Sequence, residues 1–216
     1  MLVGERMSSP VIFAHPDMPI HDALNLTKCE HIRRLPVVDK HGKLIGIVTD
    51  EDLFTASPSQ ATSLSIYELN YLLSKITVGE IMTRHVFTVA EDTPIETAAR
   101  IMSDNKVGGL PVMRDGEVIG MITETDLFKI FLELMGARDI GVRVTALVHD
   151  EPGQLAKLTR AIFEKGGNLV ALGTFAGESP ANKLVAFKVA NMQLEEVQAE
   201  IEPIIERLID IRVCCP

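Results

Sequence analysis

Apolar positions along the chain follow two periods, one helical and one of alternation. Ile95, Ala98, Ala99 and Met102 recur on one helical face, and Ile20, Ala23, Leu24 and Thr27 repeat that face upstream. Thr93 precedes the downstream run, Pro94 takes its first turn and Glu96 is placed to close a capping box, so a helix is expected to start there. Upstream, Met18 replaces the threonine and leaves Asp17 as the cap. After each helix comes an apolar strand, opening on Leu35-Pro36-Val37 or Leu110-Pro111-Val112. A turn follows (Asp39-Lys40-His41-Gly42 or Arg114-Asp115-Gly116), then a β-branched strand over 44–48 or 118–122. Gly46 and Gly120 inside those strands predict that another group approaches the backbone closely. Each block thus reads as a short strand, helix, strand, strand and helix. Between the blocks, Ser57-Pro58-Ser59 signals a loop, and Ile66, Leu69, Leu72, Leu73 and Ile76 predict a linker helix.

Beyond Gly136 the pattern changes. Val142, Val144, Ala146 and Val148 alternate with Arg143, Thr145, Leu147 and His149, the mark of a strand with one face inward. Leu155, Leu158, Thr159, Ile162 and Phe163 make a helical stripe that Gly166-Gly167 ends. Two strands, 169–175 and 183–190, flank a Gly-Glu-Ser-Pro loop. A helix over 194–208, bent at Pro203, and a strand over 209–214 complete the order βαββαβ, the ferredoxin-like arrangement.

The first two blocks are copies of one another. Val3-Gly4-Glu5 to Phe54 matches Val78-Gly79-Glu80 to Phe128, with about nineteen of some fifty aligned positions identical. Two copies are too few for a solenoid and suit a pseudo-twofold module whose halves bury each other's apolar faces. The expected class is α/β (α+β), with segments at 1–56, 57–77 (the linker), 78–136 and 141–216.

Composition narrows the function. The 216 residues are 46% apolar, enough for two compact cores, and the formal charge is −9 with Lys and Arg scattered, which shows no nucleic-acid footprint. Three cysteines, Cys29, Cys214 and Cys215, form no disulfide framework and point to a reducing cytoplasm. No apolar run approaches the ~20 residues of a membrane span, and no signal peptide is visible. The chain has no P-loop, G-x-S-x-G, H-E-x-x-H or Cys-x-x-Cys, and its six histidines are scattered. No catalytic role, catalytic cofactor or metal site is expected.

The recurrence of Leu-Pro-Val, the Gly-containing strand and Thr-x-x-Asp in one order resembles CBS domains, and residues 1–135 resemble a CBS pair (a Bateman module). The resemblance implies a regulatory adenine nucleotide or related adenosyl ligand (AMP, ADP, ATP or S-adenosylmethionine) in clefts between the copies. Thr49, Asp52, Thr123 and Asp126 stand where strand meets helix. There a carboxylate can accept bonds from ribose hydroxyls while backbone amides face a phosphate. The same spacing also makes a capping box, and the two roles are compatible. The copies differ just before Leu35-Pro36 and Leu110-Pro111. The resemblance implies that Arg33-Arg34 in the first clamps phosphate and that Val107-Gly108-Gly109 in the second leaves room for a base; by itself the arginine pair is equally a solvated surface pair. The resemblance further implies crossing, with Arg33-Arg34 sharing a pocket with Asp126, and Gly108-Gly109 sharing one with Asp52. The two pockets are expected to differ in affinity.

Asp150-Glu151-Pro152-Gly153-Gln154-Leu155, followed by Gly167-Asn168-Leu169, resembles an ACT domain. That resemblance implies an amino-acid site at Asp150, Gly153, Gln154, Leu155 and Asn168. The residues alone are explained by a helix start, with Pro at the first turn, Gly for a tight approach and an acidic residue near the helix's positive end. The whole order is similar to acetoin-utilisation proteins of the AcuB type, which implies a regulator tied to acetoin or acetyl-coenzyme A metabolism. Expected partners are a second copy of the chain and a regulated enzyme. The alternatives are an assembly module with degenerate pockets and an amino-acid sensor.

Overall fold

The computed structural model describes residues 1–57 and 75–214. Most of the expected linker helix, including Ile66, Leu69, Leu72 and Leu73, and residue Cys215 lie outside the described residues. Contacts divide the chain into two units, Met1–Leu127 and Phe128 onward.

In the first unit, copy one contains α1 (Ile20–Cys29), β1 (Arg34–Val38), β2 (Leu44–Thr49) and α2 (Asp50–Thr55). Copy two contains α3 (Val78–Ile81), β3 (Val89–Ala90), α4 (Ile95–Asn105), β4 (Gly109–Arg114), β5 (Glu117–Thr123) and the start of α5 (Glu124–Leu134). β1 and β2 pair antiparallel, as do β4 and β5, and β3 joins β4 in parallel. In copy one the equivalent of β3 is a single bridge from Ala14 to Val37. Ile20, Ala23, Leu35, Val37, Val48 and Leu53 are buried in the core of the first copy.

The leading segment of each copy is exchanged onto the other. Val3 N donates to Thr93 O at 2.9 Å and Gly4 N to Glu91 O at 2.8 Å; symmetrically, Val78 N donates to Met18 O and Gly79 N to Pro16 O, both at 2.9 Å. Ser8 then pairs with Met121, and Thr83 with Ile47. This exchange explains the strand glycines: Met7 lies on Gly120 and Met82 on Gly46, so a Cβ at either glycine would run into methionine sulfur. Gly120→Ala is therefore expected to lower stability by about 1–3 kcal/mol in denaturant unfolding, as overpacking does. Met7→Ala in the same chain should restore part of the loss, a non-additivity that contact between the two requires.

The exchange also corrects the expected caps. α4 begins at Ile95 with Pro94 as an extended N-cap (φ −59°, ψ 140°) and no side-chain cap, and α1 begins the same way after Pro19. Thr93 is one residue too early to reach a helical amide. Its hydroxyl accepts from Ala90 N at 3.1 Å instead, and neither Glu96 nor Asp17 caps a helix. The first helical amides are satisfied by backbone from the exchanged segments: Ile95 N donates to Met1 O at 3.2 Å and Ile20 N to Ile76 O at 3.1 Å.

The second unit has the expected βαββαβ order: β6 (Gly141–His149), α6 (Gln154–Glu164), β7 (Asn168–Ala176), β8 (Asn182–Ala190), α7 (Leu194–Ile201) and β9 (Arg207–Cys214). Its antiparallel sheet runs β7-β8-β6-β9. Val144, Ala146, Val185 and Phe187 form the core with Leu158, Ile162, Val197 and Ile201 from the helices. A left-handed Gly166 ends α6 in a Schellman motif, with Gly167 N donating to Ile162 O and Gly166 N to Phe163 O.

Three expectations are corrected in this unit. α6 turns Gln154, Leu158 and Ile162 inward, leaving Leu155 and Phe163 exposed, because helix and sheet share only a narrow seam. α7 stops at Ile201 rather than bending at Pro203, since proline supplies no amide to continue the ladder; β9 then starts at Arg207. Thr145 and Leu147, on the supposedly outer face of β6, are buried. Lys188 shares their fate on β8. It is 4% exposed because the turn after α5 covers it, and its Nζ donates to Gly136 O at 2.6 Å and Asp139 O at 2.9 Å.

Candidate nucleotide site and ACT groove

Each Thr-x-x-Asp sits at a strand-to-helix turn, where the extended threonine must satisfy the first helical amides. Thr49 Oγ1 accepts from Asp52 N at 3.1 Å, while Asp52 Oδ2 accepts from Thr49 N at 2.9 Å and from Thr49 Oγ1 at 2.7 Å. In copy two, Asp126 Oδ2 accepts from Thr123 N at 3.0 Å and from Thr123 Oγ1 at 2.7 Å. Asp126 is buried and Asp52 half-buried. Both carboxylates are thus anchored by their own helix starts, and the geometry pre-orients each one.

The segments before the Leu-Pro elements meet these turns across the copies. Helix α1 ends before a left-handed His31 (φ 53°), and the matching Lys106 is also left-handed (φ 53°), so the chain turns sharply into each strand. Arg33 is exposed, and its guanidinium donates to Thr125 Oγ1 at 3.3 Å, beside Asp126. Arg34 is half-buried and crosses onto copy two. Its guanidinium lies where a Cβ of Gly108 would be, and its Cδ is 3.2 Å from the place of a Gly109 Cβ. Glu124 Oε2 is 2.8 Å from that same Gly108 position. Burial pushes the Arg34 guanidinium below its ordinary value, opposed by the Glu124 carboxylate and reinforced by Arg33.

The structure therefore brings Arg33 and Arg34 to the Thr123–Asp126 turn. Around Gly108 and Gly109 the nearest atoms belong to Arg34, Glu124, Ile122 and Thr123, not to Asp52. Leu35, Pro36, Leu110 and Pro111 are buried within β1 and β4 and form the floor beneath these groups; Val107 is half-buried. Beside Arg33 and Arg34 runs a groove of 860 Å³ that Lys28, His31, Asp50 and Phe54 also line, within the size range of small-ligand sites. Reasoning from sequence missed Lys28, Phe54 and Glu124. The signal for Phe54 was available, since Phe128 repeats it and both are exposed.

In the second unit Asp150, Gly153, Gln154 and Leu155 line a groove of 340 Å³ with Thr174 and Lys183. Asn168 is not among its lining residues; it opens β7 opposite Ala190. Gly153 caps α6 at φ 85° with open space around its absent Cβ, so the glycine serves a left-handed turn rather than a tight approach, and Pro152 lies before the helix. Gln154 points inward, donating to Ile204 O at 2.6 Å, and Asp150 pairs with Lys183 Nζ at 2.9 Å. Buried Asn182 was also missed: its Oδ1 accepts from Glu178 N and Ser179 N and so shapes the β7–β8 loop.

Among the described residues, no three His, Cys, Asp or Glu side chains converge as a metal site would require, and no helix is long and apolar enough to cross a membrane.

Comparison with known proteins agrees with this layout. The CBS domain family matches residues 3–59 and 78–133, and the TTHA0829-like ACT domain matches residues 140–212. L-aspartate semialdehyde sulfurtransferase of Methanocaldococcus jannaschii is 36% identical over 131 residues, 60% of this chain but 23% of that enzyme, so the match leaves out most of its length. The CBS domain pair of protein MJ0100, solved with 5′-methylthioadenosine and S-adenosyl-L-methionine, superposes with a TM-score of 0.52 at 34% identity, covering 64% of this chain and 98% of that one. A protein named for acetoin utilization (AcuB) from Vibrio cholerae superposes with a TM-score of 0.52 at 28% identity, covering 64% of this chain and 98% of that one.

Proposed function

We propose that this chain, which belongs to the CBS-domain family and carries a C-terminal ACT domain, is a non-catalytic regulator that senses an adenosyl ligand between its two CBS copies. The observation that carries this reading is the meeting of Arg33 and Arg34 with the Thr123–Asp126 turn of the other copy. A phosphate finds two guanidinium groups and a helix start there, and ribose hydroxyls find a pre-oriented carboxylate. The resemblance of the pair to one solved with S-adenosyl-L-methionine and 5′-methylthioadenosine supports the ligand class. Regulation follows if the ligand binds two arrangements of the pair with different affinity. The chain is read as a homodimer that acts on a partner enzyme, and acetoin metabolism is the context that its similarity to the acetoin-utilization protein suggests. The nucleotide is a regulatory ligand and not a cofactor of chemistry.

Thermal unfolding of the full chain with AMP, ADP, ATP and S-adenosylmethionine tests this. A ligand at a hundred times its Kd adds about 2.7 kcal/mol, which raises Tm by roughly 5–11 °C for a chain of this length. A chain indifferent to every adenosyl ligand is instead an assembly module. A second reading, amino-acid sensing, rests on the opposed charges of Asp150 and Lys183 in the 340 Å³ groove, which suit an ammonium and a carboxylate. An amino-acid panel in the same assay decides it.

A further inference from the structure

Two neighbouring arginines part company at the cleft. Arg33 reaches outward to Thr125, whereas Arg34 lies flat along the backbone of Gly108 and Gly109. The paired glycines make this possible, since any side chain at 108 would occupy the guanidinium's place. On the reading of the cleft given above, the same backbone, bare of side chains of its own, is where a ligand base would lie. A ligand base and Arg34 therefore compete for it.

We propose that Arg34 is a selectivity gate, covering the Gly108–Gly109 floor until a ligand phosphate draws its guanidinium away, so that the cleft favours phosphorylated adenosyl ligands over uncharged ones. The inference rests on the reading of this cleft as an adenosyl site. Its physical basis is a comparison of partners. Where it lies, the guanidinium is half-buried, with the Glu124 carboxylate as the nearest counter-charge, Asp50 as a further one and Arg33 as a like charge. A phosphate offers a doubly charged, bidentate partner that replaces Glu124 without loss. A neutral nucleoside must separate Arg34 from Glu124 and offers nothing in exchange. Glu124 thus sets how firmly the gate is held, and Arg34 sets which ligand opens it.

Calorimetry of the full chain with ADP and with 5′-methylthioadenosine tests the gate. Arg34→Ala is expected to bind ADP roughly tenfold or more weakly, since a charged hydrogen-bond partner is lost, and to bind 5′-methylthioadenosine several-fold more tightly, since the floor stands open. Glu124→Gln, at an exposed position, keeps the arginine but loosens it, and should tighten 5′-methylthioadenosine. Removing a negative charge near a neutral ligand would not do so by itself. If Arg34→Ala weakens both ligands alike, or leaves both unchanged, Arg34 is no gate although the cleft reading stands. If the wild-type chain binds neither ligand, the cleft reading falls and the gate with it. Should Arg34→Ala fail to fold, an unchanged affinity for 5′-methylthioadenosine in Glu124→Gln overturns the proposal.

Discussion

Asp126→Ala is expected to weaken AMP binding on the order of a hundredfold while costing the fold only about 1 kcal/mol. The small cost follows from the capping geometry. Asp126 Oδ2 holds Thr123 N and Oγ1, and loss of such a cap lowers Tm by roughly 2–4 °C in a chain of this size. The large cost follows from charge and burial. A carboxylate 7% exposed and held in place by Thr123 N and Oγ1 can accept from ribose hydroxyls without reorganising, and each charge-assisted bond contributes about 1.5–3 kcal/mol. Asp126→Asn separates the two roles. It keeps an oxygen for the cap, so Tm should stay near the wild-type value, but it lacks the charge, and AMP should bind about tenfold more weakly. Calorimetry and thermal unfolding on the same samples give both readouts. An alanine variant with lowered Tm and unchanged affinity would make Asp126 a cap and nothing more.

Lys188→Met should be the most destabilising substitution outside the cores, by about 3 kcal/mol, or a fall in Tm of roughly 6–12 °C. Methionine keeps the volume but removes a buried donor that satisfies both Gly136 O and Asp139 O. Gly136 is the left-handed residue that closes α5 in a Schellman motif, with its own N donating to Glu133 O at 3.0 Å and Ala137 N to Leu132 O at 2.9 Å. The ammonium therefore sits at the negative end of the helix dipole, which is how a lysine inside a sheet is tolerated. Its loss should release the 136–139 turn, seen as faster amide exchange there than in β6. Stability equal to wild type would show that other contacts hold the turn.

How much of this was legible beforehand differs from element to element. The duplication, the Leu-Pro strands, the Thr-x-x-Asp turns and the βαββαβ order could be read because each is a local pattern. Burial period, turn residues and capping spacing are written within a few neighbouring positions. The caps of α1 and α4 were misread for the complementary reason. Their amides are satisfied by Met1 and Ile76, carbonyls far along the chain, and no local motif announces a distant carbonyl. Gly46 and Gly120 were correctly read as close approaches, but nothing nearby identified Met82 and Met7 as the groups approaching.

The site divides along the same line. By itself the sequence determined which residues are candidates for the chemistry: two carboxylates at helix starts, two arginines before one Leu-Pro element and two glycines before its twin. Only the tertiary structure decided that Arg34 lies on Gly108–Gly109 against Glu124, that Lys188 is buried and that Asn168 stands apart from the ACT groove. Residue type and spacing are properties of one stretch of chain. Which charge faces which backbone depends on how two separately folded stretches meet, and that meeting is set by shape and packing over many residues at once.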